Sequence, residues 1–123
     1  MPATILIVDD YEDNRELLRL MLEGAGHQVR EAGDGHAGVQ MALTEAPDLV
    51  LVDLSMPGLD GWQVLSELRA DERTRHIPCA AVTAFADGER DRALERGFDA
   101  YLPKPFRRTE LLETVERLLA KAR

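Results

Sequence analysis

Two kinds of segment alternate along the chain, and the spacing of their apolar residues predicts different secondary structures. Short apolar runs rich in branched residues lie at 5–8, 49–52 and 79–82. Runs of this length are typical of strands that are buried on both faces of a sheet. The segments between them carry apolar residues at helical spacing, as at 61–68, which is the pattern of a helix with one buried face. We therefore expect strands and helices to alternate.

The alternation predicts an α/β fold of five strand–helix units, (βα)5. Strict alternation implies a doubly wound parallel sheet with right-handed crossovers and helices on both faces. The first, third and fourth strands are the most apolar and should be central, which fits the order 2-1-3-4-5. The second strand carries charges and the fifth contains Pro103, so both should be edges. The predicted strands are 4–9, 28–32, 48–53, 78–83 and 99–103, and the predicted helices are 12–25, 35–45, 60–70, 87–96 and 107–121.

Composition narrows the class of protein. The 123 residues fit one domain, 1–123, and 45% of them are apolar, enough for a core. The net charge of −8 argues against binding to nucleic acid or to anionic membranes, which needs clustered Lys and Arg. The apolar runs fall far short of the ~20 residues of a membrane-spanning helix, and no secretory signal is visible. We predict a cytoplasmic protein whose single cysteine, Cys79, is a buried small hydrophobe.

Polar residues follow four of the predicted strands. Asp9 and Asp10 end the first, Asp53 the third, Thr83 the fourth, and Lys104 the fifth. In open α/β sheets, sites form at the carboxyl ends of the strands, where the strand order reverses. The topology therefore predicts that three carboxylates, one hydroxyl and one ammonium converge on one crevice.

These residue types suit phosphoryl transfer. Three carboxylates a few ångströms apart repel one another and require a counter-charge, which Mg²⁺ supplies through oxygen ligands while it keeps exchangeable waters. Lys104 adds a fixed cation, and Thr83 offers a hydroxyl donor. Such a site fits a carboxylate nucleophile that attacks phosphorus, with Asp53 the best placed of the three because it ends the central strand.

Four motifs in this order resemble those of response regulator receiver domains of the CheY and DivK type, which have a flavodoxin-like fold. The resemblance runs through the whole chain. The motifs are Ile7-Val8-Asp9-Asp10, the loop from Asp53-Leu54-Ser55-Met56-Pro57 to Gly61, Val82-Thr83-Ala84 and Lys104-Pro105-Phe106.

The resemblance implies a role in a two-component phosphorelay. Asp53 would accept a phosphoryl group from a histidine kinase or a histidine phosphotransfer protein in a Mg²⁺-dependent reaction. The metal ligands would be Asp10, Asp53 and the Ser55 carbonyl, with Asp9 acting largely through water. Such a protein is not a conventional enzyme, although it assists its own phosphorylation and dephosphorylation.

The resemblance also implies a switch. Thr83 and Lys104 would bind phosphoryl oxygens, and Tyr101 would be the aromatic switch partner. The surface of the fourth helix, fifth strand and fifth helix would then meet a downstream protein that the sequence does not name. We expect the Lys104–Pro105 bond to be cis, because the ammonium must turn back into the crevice. Ser55 and Phe85 occupy the positions that tune the phosphoryl lifetime in this family.

Three alternatives compete with this hypothesis. A flavin-binding protein of the same topology needs a Ser/Thr/Gly-rich phosphate loop after the first strand, but here the loop at 9–13 is acidic. A Mg²⁺-dependent phosphatase would carry an Asp-x-Asp motif there, which is missing. A receiver-fold adaptor that works without phosphorylation remains open.

Two further predictions concern local features. His27, His36 and His76 lack the spacing of metal ligands and are expected at the surface. Asp13 and Asn14 are expected to cap the first helix.

Overall fold

The computed structural model describes residues 2–84 and 86–122. It is an α/β fold whose five parallel strands lie in the order β2-β1-β3-β4-β5, with five helices between and after them. Both the fold class and the strand order predicted from the sequence are confirmed, including the edge positions of β2 and β5. Phe85, one of the two positions that the family resemblance links to the lifetime of the phosphoryl group, lies outside the described residues.

The predicted bounds agree with the structure to within two residues. Helix α4 shows the largest difference, because Gly88 has a positive φ of 75° and the helix begins only after it. The elements are β1 Thr4–Val8, α1 Glu12–Gly24, β2 Gln28–Ala32, α2 Gly35–Glu45, β3 Leu49–Val52, α3 Gly61–Ala70, β4 Cys79–Ala84, α4 Glu89–Arg96, β5 Ala100–Lys104 and α5 Arg108–Lys121.

The sheet separates two apolar cores. Alternate residues of a strand point to opposite faces, so Leu6 and Val8 of β1 join the core beneath α2, α3 and α4, whereas Ile5 and Ile7 join the core beneath α1 and α5. Burial of each such side chain contributes roughly 1.5–3 kcal/mol. The rigid sheet that results fixes where the carboxyl ends of the strands lie.

Helix α4 is the least buried of the five. Ala93 is its one buried residue, and Leu94 is 40% exposed. Such a helix has few apolar contacts to hold it, so its docking is expected to be weak.

Two local predictions are wrong. His27 is buried rather than exposed; it packs against the residues that lead into β1, where its Nδ1 accepts a hydrogen bond from the Ala3 N–H at 3.2 Å. Helix α1 begins after Tyr11 without a side-chain cap. The Asp9 Oδ1 accepts the Tyr11 N–H at 2.9 Å, which fixes the loop that leads into the helix.

The other histidines, His36 and His76, are exposed as predicted. Cys79 is a buried free thiol in β4, and burial raises its pKa to about 12. No helix within the described ranges has the length and apolar character needed to cross a membrane.

Candidate functional site

Three carboxylates meet at the carboxyl edge of the sheet. Asp9 and Asp10 follow β1, and Asp53 follows the neighbouring β3. One carboxylate oxygen of each lies within 4.8 Å of one from each of the others. Asp9 and Asp53 are buried, so their mutual repulsion is poorly screened and the site needs positive charge.

Lys104 supplies part of that charge. Its Nζ lies 3.1 Å from Asp9 Oδ2 and 3.1 Å from Asp53 Oδ2. Burial by itself would lower the pKa of Lys104, but the Asp53 and Asp9 carboxylates outweigh this effect and raise the pKa above its ordinary value. Lys104 is therefore a fixed cation at neutral pH. The Lys104–Pro105 peptide bond that follows it is cis.

The Asp53 carboxylate is held from several sides. Its Oδ1 accepts hydrogen bonds from the Thr83 hydroxyl at 2.9 Å and from the Ser55 N–H at 2.9 Å, while Lys104 contacts Oδ2. Asp53 is only 7% exposed. The side chain is thus pre-oriented, with the same groups in place that could receive the oxygens of a phosphoryl group.

Asp10 differs from its neighbours. Its Oδ1 is buried and accepts no hydrogen bond from any group in the described part of the chain. A buried carboxylate oxygen without a partner is costly, and here it lies beside two further carboxylates. A hard divalent cation takes oxygen ligands of this kind, so the donor set fits Mg²⁺. Ser55 lies at the exposed rim next to Asp53.

The loop after Asp53 is rigidly anchored to helix α3. A capping box closes the start of the helix, in which Asp60 accepts the Gln63 N–H and Gln63 accepts the Asp60 N–H, each at 3.0 Å. Gly61 packs so closely that a Cβ on it would press on the backbone oxygen of Asp53 and lie 2.8 Å from the Leu54 Cα. The absence of a side chain at 61 therefore sets the position of Asp53.

Tyr101 lies apart from the carboxylate cluster. It pairs with Ala81 across the β4–β5 boundary, so it shares a face of the sheet with Thr83, two residues further along β4. Its hydroxyl donates to Glu89 Oε1 at 2.8 Å. Burial and this carboxylate raise the pKa of Tyr101. Sequence reasoning missed Glu89, because a charged residue in the first turn of a polar helix carries no signal of a specific contact.

Comparison with known proteins agrees with this geometry. The sequence model of the response regulator receiver domain family matches residues 5–116. The polar-differentiation response regulators DivK of Brucella anthropi and Brucella abortus are each 36% identical to this chain over 123 residues, which cover 99% of this chain and all of the relative.

Solved structures give the same result. A putative response regulator from Chloroflexus aurantiacus superposes with a TM-score of 0.92 at 36% identity, covering 98% of this chain and 99% of that one. The receiver domain of a sensor histidine kinase from Pseudomonas aeruginosa, with a magnesium ion in its active site cleft, gives 0.89 at 36% identity and the same coverage. Acceptance of a phosphoryl group in two-component signalling is the standard function of such domains, and their usual partner is a histidine kinase or phosphotransfer protein. With the acidic crevice, the strand order and these matches in agreement, the chain belongs to the response regulator receiver domain family.

Proposed function

We propose that this protein is a phosphoacceptor switch, in which Asp53 takes a phosphoryl group from a histidine kinase or a histidine phosphotransfer protein. The observation that carries the proposal is the environment of Asp53. Its carboxylate is buried beside Asp9 and Asp10 and is bonded to both Thr83 and Lys104.

The transfer would be a single displacement at phosphorus. A bond forms from an Asp53 carboxylate oxygen to phosphorus while the bond from phosphorus to the donor breaks, and the donor leaves with that electron pair. The Lys104 ammonium and the Thr83 hydroxyl are within hydrogen-bond distance of Asp53. They would pair with the phosphoryl oxygens after transfer.

Asp10, Asp53 and the Ser55 carbonyl would hold Mg²⁺, with Asp9 acting largely through water. When bound, the ion neutralises charge on the transferring oxygens. Support comes from the unpartnered Asp10 Oδ1 and from the magnesium ion in the cleft of the Pseudomonas receiver domain. Receiver domains are in general not classical enzymes, and we propose that this one assists only its own phosphorylation and dephosphorylation.

We also propose how the signal leaves the site. The Thr83 hydroxyl already donates to Asp53 Oδ1. A phosphoryl group on Asp53 would replace this bond with one to a phosphoryl oxygen, and the resulting shift of Thr83 would alter the space beside Tyr101 on the same face of the sheet. Tyr101 is bonded to Glu89 of the weakly buried helix α4, so a change at Tyr101 would reach the surface of α4, β5 and α5, where a downstream protein would dock.

Intact-mass spectrometry after incubation with acetyl phosphate and Mg²⁺ tests the proposal. We expect the mass of one phosphoryl group to be added to the wild type and to Asp13→Asn, which alters an exposed carboxylate of α1. Asp53→Asn, or chelation of Mg²⁺, should abolish the addition. Equal labelling of Asp53→Asn would refute the assignment, and an unlabelled wild type would favour an adaptor that works without phosphorylation.

A further inference from the structure

We propose that Arg15 is a positioning residue for the metal site, an inference that rests on the Mg²⁺-dependent function proposed above. Arg15 lies in the first turns of α1. Its Nη1 donates to the backbone carbonyl of Asp9 at 2.8 Å, and its Nε lies 3.3 Å from Glu31 Oε1. The guanidinium thus joins α1, the end of β1 and strand β2 beside the acidic pair.

The surroundings of Arg15 fix this arrangement. Its side chain is only 18% exposed, and Glu31 sits in β2 opposite Ile7 of β1. Arg15 Nη1 also lies beside Gly33, where a Cβ would meet it at 3.4 Å, an ordinary van der Waals contact. A planar fork with several donors suits two acceptors in different directions.

The contact bears on Asp10 through the backbone. The Asp9 carbonyl belongs to the same planar peptide unit as the Asp10 N–H, so a hydrogen bond to that carbonyl restricts the direction in which Asp10 leaves the strand. The Asp9 side chain is held directly, by Lys104 and by the Tyr11 N–H. Asp10 Oδ1 has no such bond within the described residues. We infer that Arg15 supplies the orientation that this oxygen lacks.

Charge and position predict opposite effects on metal binding. A guanidinium near a cation site repels Mg²⁺, so its removal should tighten binding if only its charge matters. If Arg15 instead orients Asp10, removal should weaken binding. The direction of the change therefore separates the two explanations.

Arg19 provides a matched control. It lies one turn further along the same helix, and its Nε is 3.1 Å from Glu31 Oε2. Among the hydrogen bonds of the described residues, none joins Arg19 to Asp9. Arg15→Gln and Arg19→Gln remove the same charge and disturb the same glutamate, but only the first removes the bond to the acidic pair.

Calorimetric titration with Mg²⁺ alone, at one ionic strength, is the test. We expect Arg15→Gln to raise the Mg²⁺ Kd about tenfold, the scale seen when groups that orient metal ligands are removed, while Arg19→Gln leaves it close to wild type. Arg15→Lys keeps the charge but lacks the planar fork whose separate Nε and Nη1 donors reach the two acceptors in different directions, so it should also bind Mg²⁺ more weakly than wild type. Thermal melts without metal check that each variant folds. If Arg15→Gln does not fold, the comparison is made with Arg15→Lys.

Two results would overturn the inference. The first is that Arg15→Gln or Arg15→Lys binds Mg²⁺ as tightly as Arg19→Gln does, or more tightly. If the wild type binds Mg²⁺ and loses that binding when Asp10 is replaced, this result would rule out only the role of Arg15. A wild type that does not bind Mg²⁺ would instead remove the metal site on which both proposals depend.

Discussion

The Tyr101 hydroxyl donates a hydrogen bond to Glu89 Oε1 over 2.8 Å, which ties strand β5 to the first turn of helix α4. The ring itself is half-buried against the core beneath α2, α3 and α4. Since α4 buries little else, this bond is one of the few contacts that hold its amino-terminal end. A phenol of this kind can exchange such a partner for water at small cost, as the switch proposed above for Tyr101 and helix α4 requires.

The titration of Tyr101 reports on this contact. Burial and the Glu89 carboxylate both raise the pKa of Tyr101, since each disfavours the phenolate. Glu89→Ala removes the second cause, so we expect the pKa of Tyr101 to fall towards its ordinary value of 10.0. Titration followed by NMR of labelled tyrosine measures it, with Tyr101→Phe to assign the signal. In the control Glu95→Ala, on an exposed position of the same helix, the pKa should stay as in wild type. An unchanged value in Glu89→Ala would mean that the hydrogen bond does not form in solution.

Thr83 should couple the two regions. Beryllofluoride, which mimics the phosphoryl group, should shift amide signals in the Asp53 pocket and at residues 86–104 of the wild type. In Thr83→Ala we expect the pocket signals to shift while those of α4 and β5 stay in place, because the hydroxyl that contacts Asp53 Oδ1 is gone. Amide chemical-shift mapping decides this. Distant shifts that survive in the variant would make Thr83 a phosphoryl ligand without a switching role.

The Asp10 carboxylate should lower the free energy of unfolding when no metal is bound. Its Oδ1 is buried without a partner in the described structure and lies among like charges. Asp10→Asn removes the charge, so we expect the free energy of unfolding without Mg²⁺ to rise by about 1–3 kcal/mol. The further stabilisation that Mg²⁺ gives the wild type should disappear.

Urea unfolding with and without Mg²⁺ measures both effects, and Asp13→Asn serves as the control. If Asp10→Asn were less stable than wild type in metal-free buffer, the repulsion inferred from the geometry would not exist.

Replacement of Gly61 by alanine should affect both the stability of the protein and its phosphorylation. The Cβ of an alanine would press on the backbone oxygen of Asp53, and the capping box on both sides leaves little freedom to move. We expect Gly61→Ala to lower the free energy of unfolding by about 1–3 kcal/mol and to slow phosphorylation by displacing Asp53. Ser66→Ala, on an exposed position of the same helix, should do neither. If Gly61→Ala matched the wild type in stability and in the rate of phosphorylation, the loop after Asp53 would have to move enough to accommodate the added Cβ.

Much of the fold and of the site could be predicted from the sequence, and the reasons are physical. Short apolar runs buried on both faces mark β1, β3 and β4, and the charges of β2 mark an edge. Parallel strands bring their carboxyl ends to one side of the sheet. Residues far apart in the chain, such as Asp9 and Asp53, could therefore be placed together from the order of the strands alone.

What escaped prediction depends on tertiary contacts between polar groups. His27 is buried and accepts a hydrogen bond from the Ala3 N–H, 24 residues away along the chain, and hydrophobic periodicity does not reveal such a contact. Arg15 and Glu89 are charged residues at polar positions of their helices, where the sequence predicts exposure to solvent rather than a specific contact. Helix α1 begins after Tyr11, whose side chain makes no capping hydrogen bond, and the contact of the Tyr11 N–H with Asp9 Oδ1 precedes the helix.

The central claim is that Asp53 carries the phosphoryl group, and chemical trapping tests it most directly. Borohydride reduces an aspartyl phosphate to homoserine, which peptide mass spectrometry locates within the sequence. After treatment with acetyl phosphate and Mg²⁺, we predict homoserine at position 53 and at no other aspartate. Homoserine at position 9 or 10, or none in a protein that binds Mg²⁺, would contradict the account.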